Sequence, residues 1–451
     1  MSTVATPLAA IEPGSRALVL GLGRTGLSVA RYLRRNGFTL RVADSRAEPP
    51  AAAELRSELP GVELRCGAFD SALLEDVAQV VISPGLSLGE PIAREARARG
   101  LPVVGDVELF AREVHAPVAA VTGTNGKSTV TTLVAEFASA AGRSTLAGGN
   151  LGRPALDLLE APLPDLYVLE LSSFQLETTH SLATAAAVVT NVTADHMDRY
   201  ATLADYAAAK ARIYDRAEVA VVNADDPLVR GMPRDGQRLI SFSLGDPAAD
   251  YWLARQPEPT ILRHGEPLLP LAAMRLTGLH NAANAMAALA MGEALGLPRA
   301  PALAVLAEFA GLPHRSQWVA EIGGVSFVND SKGTNVGATV AAVAGMPGPL
   351  VLIAGGDGKG QDFGELREAC RGKVRLAVLI GRDAPRLAES LDGVCATLRA
   401  PDMRAAVAAA RDAAEPGDTV LLSPACASLD MYRDYTERGD EFAAAVRGLA
   451  G

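Results

Sequence analysis

The chain has 451 residues, 49% of them hydrophobic and 21% charged, and a formal net charge of -10. A single core rarely grows beyond roughly 250–300 residues, so two or three globular domains are expected. The acidic balance, without a basic stripe, argues against a nucleic-acid partner, and no apolar run approaches the roughly 18 residues of a membrane span.

The opening segment, MSTVATPLAAIEPG, has no basic stretch followed by an apolar core, so it is not a signal peptide. The cysteines Cys66, Cys370, Cys395 and Cys426 are scattered, with no C-x-x-C pair. They are expected to be buried, reduced thiols in a cytoplasmic protein.

The first hundred residues alternate strand-like and helix-like stretches. Ala17–Leu20 is an apolar run followed by a Gly-rich turn, Thr25–Asn36 a helix stopped by Gly37, and Thr39–Ala43 and Val80–Ser83 further strands. The turn Gly21-Leu22-Gly23-Arg24-Thr25-Gly26 fits a dinucleotide fingerprint, with Asp44 where a ribose-binding acid belongs. Alone it is compatible with NAD, another nucleotide, or close strand–helix packing. Ser83-Pro84-Gly85 closes a later strand on the same sheet edge.

A second unit starts near Val107. Pro117–Val121 is a strand, and Val130–Ala141 reads as a helix ending at Gly142. Between them lies Gly123-Thr124-Asn125-Gly126-Lys127-Ser128-Thr129. Backbone N–H groups of such a loop point at phosphate oxygens, the helix dipole adds positive potential, and Lys127 can neutralise the β/γ-phosphates. Ser128 or Thr129 can reach Mg²⁺. Val121 stands where the full P-loop pattern has its first glycine. An ordinary Gly turn before a helix would not need the lysine and the hydroxyls. Strands follow at Tyr167–Leu171, Ala186–Thr190 and Val219–Asn223, then a long Ala-rich helix, Leu279–Leu295. Glu170 closes one of these strands, and Asp195 and His196 follow another. Mg²⁺ prefers carboxylate and phosphate oxygens, which makes His196 a secondary or water-mediated partner.

Gly311-Leu312-Pro313 reads as a linker. Beyond it, Val325–Val328, Leu350–Ile353, Leu376–Ile380 and Thr419–Leu422 are strands separated by helical patterns. Three polar loops follow three of these strands: Asn329–Asn335, Gly355–Lys359 and Ser423–Asp430. In a parallel sheet all three lie at the carboxyl edge, where ligands bind. One such loop would be ordinary turn chemistry; three, two of them bearing a lysine, suit an anionic ligand.

Together the motifs GTNGKSTVTTLV, GGNLGRPAL, LELSSFQLETT, NVTADHMDRY, NDSKGTN and SPACASLD resemble the Mur ligase family over nearly the whole chain, most closely its D-glutamate-adding branch. The resemblance implies an α/β protein of three domains. These are an N-terminal Rossmann-like UDP-binding domain (1–106), a central P-loop-type ATPase domain (107–311) and a C-terminal Rossmann-like amino-acid-binding domain (312–451). It implies an ATP- and Mg²⁺-dependent ligase that adds D-glutamate to UDP-N-acetylmuramoyl-L-alanine, acting as a monomer. The glycine-rich first turn is then a UDP site rather than an NAD site.

Carried over by motif, Thr25, Asp44, Ser45, Arg46, Ser83, Gly85 and Asn150 contact the UDP-sugar, and Gly123 to Thr129 the ATP phosphates. Asn281, Asn284, Arg315, Asp330 and Lys332 complete the ATP site. Ser128, Glu170, His196 and Lys210, the last as a carbamate, surround Mg²⁺, with Lys127, His196 and Lys210 catalytic. Thr334, Lys359, Ser428, Leu429 and Tyr435 form the D-glutamate site. Arg24, Gln317, the Gly360-Gln361 pair after Lys359, and Tyr435 depart from the family pattern.

Overall fold

The computed structural model describes residues 14–276, 278–346 and 348–449. The opening segment, but for Gly14, lies outside them. Among the described residues the strands form three sheets, of five, nine and six strands.

The first sheet is all parallel, in the order Glu63–Cys66, Thr39–Asp44, Arg16–Leu20, Val77–Ile82, Val103–Val104. Its centre reads apolar at every position because helices cover both faces, and Ala17 to Leu20 are fully buried. From the central strand Arg16–Leu20 the chain passes outward through helix Arg24–Arg35 to one neighbour, and Val77–Ile82 lies on the other side. That reversal opens a crevice at the carboxyl edge, a usual place for a ligand.

The second sheet carries six parallel strands and an antiparallel meander, Tyr251–Ala254, Thr260–Arg263 and Glu266–Pro270. At its core Val118–Thr122 lies between Leu166–Glu170 and Thr184–Val189. Helix Leu279–Ala294 is apolar nearly all round. It is correspondingly buried, with Ala285 to Ala288 inaccessible, and packs with helix Lys127–Ala140 in one core that includes Val130, Leu133 and Phe137.

The third sheet has one antiparallel edge strand, Gln317–Ile322, and five parallel strands, with separate apolar clusters on its two faces. The three polar loops do leave this sheet at its carboxyl edge.

Some sequence expectations need correction. The helix after the phosphate loop spans Lys127–Ala140, so Lys127, Ser128 and Thr129 lie in its first turn rather than ahead of a helix at Val130. Of the cysteines, all free, Cys370 and Cys426 are buried, but Cys66 is exposed and Cys395 partly so. Cys66 ends an edge strand whose pattern leaves its last two residues in solvent. No helix among the described residues is long and apolar enough to cross a membrane.

Candidate active site

The buried strand Val118–Thr122 runs into Gly123 at φ 144°, and Gly126 at φ 83° turns the chain into helix Lys127–Ala140. Both glycines are required twice over. L side chains rarely adopt these φ values, and an added Cβ would strike Thr190 Oγ1 at position 123 and Asn284 Oδ1 at position 126. The loop is pinned from the strand behind it: Asn125 N donates to Asn191 Oδ1 (3.0 Å) and Thr190 Oγ1 to Asn125 O (2.6 Å). Thr190 and Asn191 form this pinning layer; Asn191 opens the NVTADHMDRY motif, but neither was among the expected site residues.

Lys127 Nζ donates to Gly123 O (2.9 Å) and Thr124 O (2.7 Å), and Lys210 Nζ donates to the same Gly123 O at 2.7 Å. Two lysine amino groups thus share one carbonyl. Burial lowers the pKa of both, and Lys127 pushes Lys210 further, well below the ordinary lysine value. Lys210 reaches this position from helix Leu203–Ala211, whose capping box at Thr202 and Asp205 fixes its start.

Opposite stands Glu170. Its carboxylate accepts from Ser128 Oγ (2.5 Å) and Asn150 Nδ2 (2.6 Å), and Arg315 NH2 reaches Ser128 Oγ (2.5 Å) from beyond the linker. His196 sits at φ 57°, its ring 4.9 Å from Phe174 and 6.3 Å from Tyr206, and burial lowers its pKa. Among the described residues no three His, Cys, Asp or Glu side chains gather as a metal cage. One buried carboxylate and a hydroxyl beside a phosphate loop is nonetheless the donor set that suits Mg²⁺, which takes one or two carboxylates and completes its shell with phosphate and water. The residues present fit such an ion.

Two cavities flank the loop. One, of about 300 Å³, is lined by Gly126, Asn281, Asn284, Phe242, Arg315 and Asp330 among others. Burial raises the Asp330 carboxyl to about 6, against hydrogen bonds from Ser423 Oγ and Ser316 N. The second, of about 390 Å³, has Lys127, Ser128, Glu170, His196 and Lys210 on one wall. Lys332, Thr334, Lys359, Ser428, Leu429 and Tyr435 form the other. The structure therefore gathers the phosphate loop and the polar loops of the last sheet around one chamber. Lys332 Nζ lies 4.2 Å from the Tyr435 ring centroid, and burial and Arg315 bring its pKa down to about 8.

Arg438 is a residue that sequence patterning did not single out. Fully buried on helix Tyr435–Arg447, it donates to Ser331 O (2.8 Å), Ser331 Oγ (3.0 Å), Cys426 O (3.1 Å) and Gly355 O (3.5 Å), and so ties the three loops together. Asn335, which ends the first polar loop, was given no role of its own; its Nδ2 donates to Asp195 Oδ2 at 3.1 Å across the boundary between sheets.

The expected UDP residues divide. Leu22 N donates to Asp44 Oδ2 (2.7 Å), and Arg46 pairs with the same carboxylate (2.7 Å). Burial would raise the Asp44 pKa, but these bonds win and hold it at about 2. Ser45 and Arg46 are exposed, and Thr25 lies in the first turn of its helix. Ser83 packs against Gly21, while Gly85 faces open space. These six share one edge; Asn150 lies apart, beside Glu170 in the larger cavity. The departures from the family pattern have structural partners. Arg24 NH2 donates to Gly152 O (2.8 Å), Gln317 Oε1 accepts from His314 N (3.1 Å), and Gln361 Oε1 accepts from Val336 N (3.1 Å).

Comparison with known proteins decides the family. The model of the Mur ligase middle domain matches residues 121–292, that of the MurD-like N-terminal domain residues 15–105, and that of the Mur ligase glutamate ligase domain residues 314–426. The chain belongs to the Mur ligase family. It is 54% identical to the UDP-N-acetylmuramoylalanine--D-glutamate ligase of Nitrosococcus oceani, over 97% of this chain and 98% of that one. It is 53% identical to the Methylococcus capsulatus protein of the same name, over 98% and 96%. Among solved structures, the UDP-N-acetylmuramate-alanine ligase MurC of Thermotoga maritima superposes with a TM-score of 0.61 at 19% identity, covering 96% of this chain and 99% of that one. At that identity the likeness speaks for the Mur ligase fold alone.

Proposed function

We propose that this Mur ligase adds D-glutamate to UDP-N-acetylmuramoyl-L-alanine with ATP, releasing ADP and phosphate, as a step of peptidoglycan synthesis. The observation that carries the reading is the single chamber in which a phosphate loop faces three loops bearing Lys332, Lys359 and hydroxyl donors. Relatives named for this activity, at about half identity over nearly the full length, support it.

The chemistry follows from charge. A carboxylate is a poor electrophile because its leaving group would be oxide. Attack of the alanyl carboxylate oxygen on the γ-phosphorus expels ADP and leaves an acyl phosphate. The neutral amine of D-glutamate then adds to that carbonyl, and phosphate departs as the C–N bond is kept and the amine proton is lost. Two anions must meet, so preorganised positive charge lowers the barrier. Lys127 holds its ammonium at the phosphate loop, and Lys332 brings a second from the opposite wall. Mg²⁺, held by Glu170 and Ser128 with His196 and a carbamylated Lys210, would supply further neutralisation when bound. Burial lowers the pKa of Lys210 and so favours the neutral amine, the form that adds CO₂. Thr334, Lys359, Ser428, Leu429 and Tyr435 hold the incoming amino acid. Asn281, Asn284, Arg315 and Asp330 hold the nucleotide, and Thr25, Asp44, Ser45, Arg46, Ser83 and Gly85, with Asn150, the UDP-sugar. Closing the walls excludes the water that would hydrolyse the acyl phosphate.

We place the domain boundaries at 1–106, 107–311 and 312–451, in the stretches between the last strand of one sheet and the first of the next. Both walls come from one chain, which suits a monomer, and the nucleotide-linked substrate suits the cytoplasm. Phosphate release against an amino-acid panel tests the assignment. It should require the UDP substrate and D-glutamate together, and equal release with L-alanine or L-lysine would overturn it.

A further inference from the structure

The motif Asp195–Tyr200 contributes His196 to the chamber, but its arginine has no part in the chemistry above. Arg199 NH1 donates to Pro84 O (3.1 Å) and NH2 to Leu86 O (2.8 Å), the two carbonyls flanking Gly85. The same guanidinium lies 4.1 Å from the Phe174 ring centroid and 3.8 Å from Glu177. Phe174 lines the chamber and meets the His196 ring edge-on, and Arg199 N donates to His196 O (2.9 Å). One side chain thus spans from the carboxyl edge of the first sheet to the wall of the reaction chamber.

We propose that Arg199 is a positioning residue, a ruler that fixes the distance between the Ser83–Gly85 edge and the reaction chamber, and so selects substrates by the spacing between their nucleotide end and their reacting carboxylate. This rests on the reading of that edge as the UDP anchor. The physical argument is about remote binding energy. A substrate held at one end reacts well at the other only if the protein between the two points is stiff, and a misplacement near 1 Å costs on the order of 10²-fold in rate. Two carbonyls two residues apart in one turn suit a planar donor fork. Arg supplies one, with its face free to stack on an aromatic ring, whereas Lys offers a point charge on a flexible stem. The carbonyls are backbone groups, so the clasp sets the course of the loop and leaves the Ser83 and Thr25 side chains to the ligand.

The test compares Arg199→Ala and Arg199→Lys with the parent, each first checked for an unchanged thermal transition. Three quantities are read: the dissociation constant for UDP alone, kcat with the full UDP substrate, and single-turnover product formation from N-acetylmuramoyl-L-alanine, which lacks the nucleotide. The ruler predicts UDP affinity within about 3-fold of the parent, kcat lower by roughly 10- to 100-fold, and the fragment rate within about 2-fold, in both variants. Fragment turnover falling in proportion to kcat would overturn it, since Arg199 would then act inside the chamber through Phe174 and His196. So would a loss of UDP affinity that accounts for the whole effect, or full activity in Arg199→Lys. Where the fragment reacts too slowly to read, the split between UDP affinity and kcat decides. The anchor reading is judged separately, with Thr25→Val and Ser83→Ala: if both bind UDP as the parent does, that edge is not the anchor, whatever Arg199 does.

Discussion

Lys127 spends both of its hydrogen bonds on carbonyls of its own loop, so its ammonium is already in place before charge builds on a transferring phosphoryl group. Replacing it by alanine should lower turnover by on the order of 10²-fold or more while the fold survives; near-parental ligation by the folded variant would remove it from the mechanism. Lys210 is a different case. As a bare ammonium it is a poor companion for a metal, and as a carbamate it is an oxygen ligand. Lys210→Ala should be nearly inactive and partly rescued by short-chain carboxylates, and the intact mass of the active enzyme should carry the added CO₂. An unmodified lysine in active, metal-loaded protein would contradict this. Asp330 gives a pH signature. Its folded pKa is about 6 against the ordinary 3.8, chiefly through burial. Between those values the folded chain holds a proton that the unfolded chain lacks, so stability falls as pH rises through the window, and the cost persists above it. Asp330→Asn should therefore gain thermal stability relative to the parent on going from pH 4 to pH 7. A difference in melting temperature that stays constant with pH would show that the Asp330 pKa is not raised in the folded chain.

Helix Tyr435–Arg447 acts as a clasp, and Arg438 is its pin. Its guanidinium is buried, and among the described residues no carboxylate hydrogen-bonds to it; burial lowers its pKa to about 10, and its donors go to three loops. Arg438→Met leaves those carbonyls unpaired, and each buried orphan costs about 1–3 kcal/mol. The variant should lose at least about 2 kcal/mol in denaturant unfolding, and its KM for D-glutamate should rise more than its KM for the UDP substrate; equal changes in both would argue against a local clasp. Such a residue was not legible in the sequence, because an arginine among Glu437, Asp440 and Glu441 reads as a solvated helix face. The parallel strands were legible, since burial on both faces leaves continuous apolar runs ending at glycine turns. The meander from Tyr251 to Pro270 was not: its strands are four or five residues long, broken by Pro257, Pro259 and Pro267, and half-exposed. The start of helix Lys127–Ala140 was placed three residues late because Lys, Ser and Thr look like loop, whereas Gly126 at φ 83° already sets the first helical turn.

At the scale of the whole molecule, three sheets present their carboxyl edges to one another. The first offers the Gly21 and Ser83 turns, the second the phosphate loop and Glu170, and the third the loops that Arg438 joins. Contacts across these edges come from Arg24, Arg199, Arg315 and Asn335. Residue patterns alone do not yield this convergence: only the family resemblance implied that Arg315 and Asp330 join the phosphate loop, and the packing of the third sheet brings them beside Gly126. The arrangement makes one chemical claim, that a nucleotide-linked acid, ATP and an acidic amino acid meet in a single chamber. Mass spectrometry of the product after mixing enzyme, UDP-N-acetylmuramoyl-L-alanine, D-glutamate, ATP and Mg²⁺ tests it most directly. The predicted result is a product heavier than the UDP substrate by one glutamyl residue, formed in step with ADP and phosphate. An unchanged UDP substrate, or its conversion without ADP release, would contradict it.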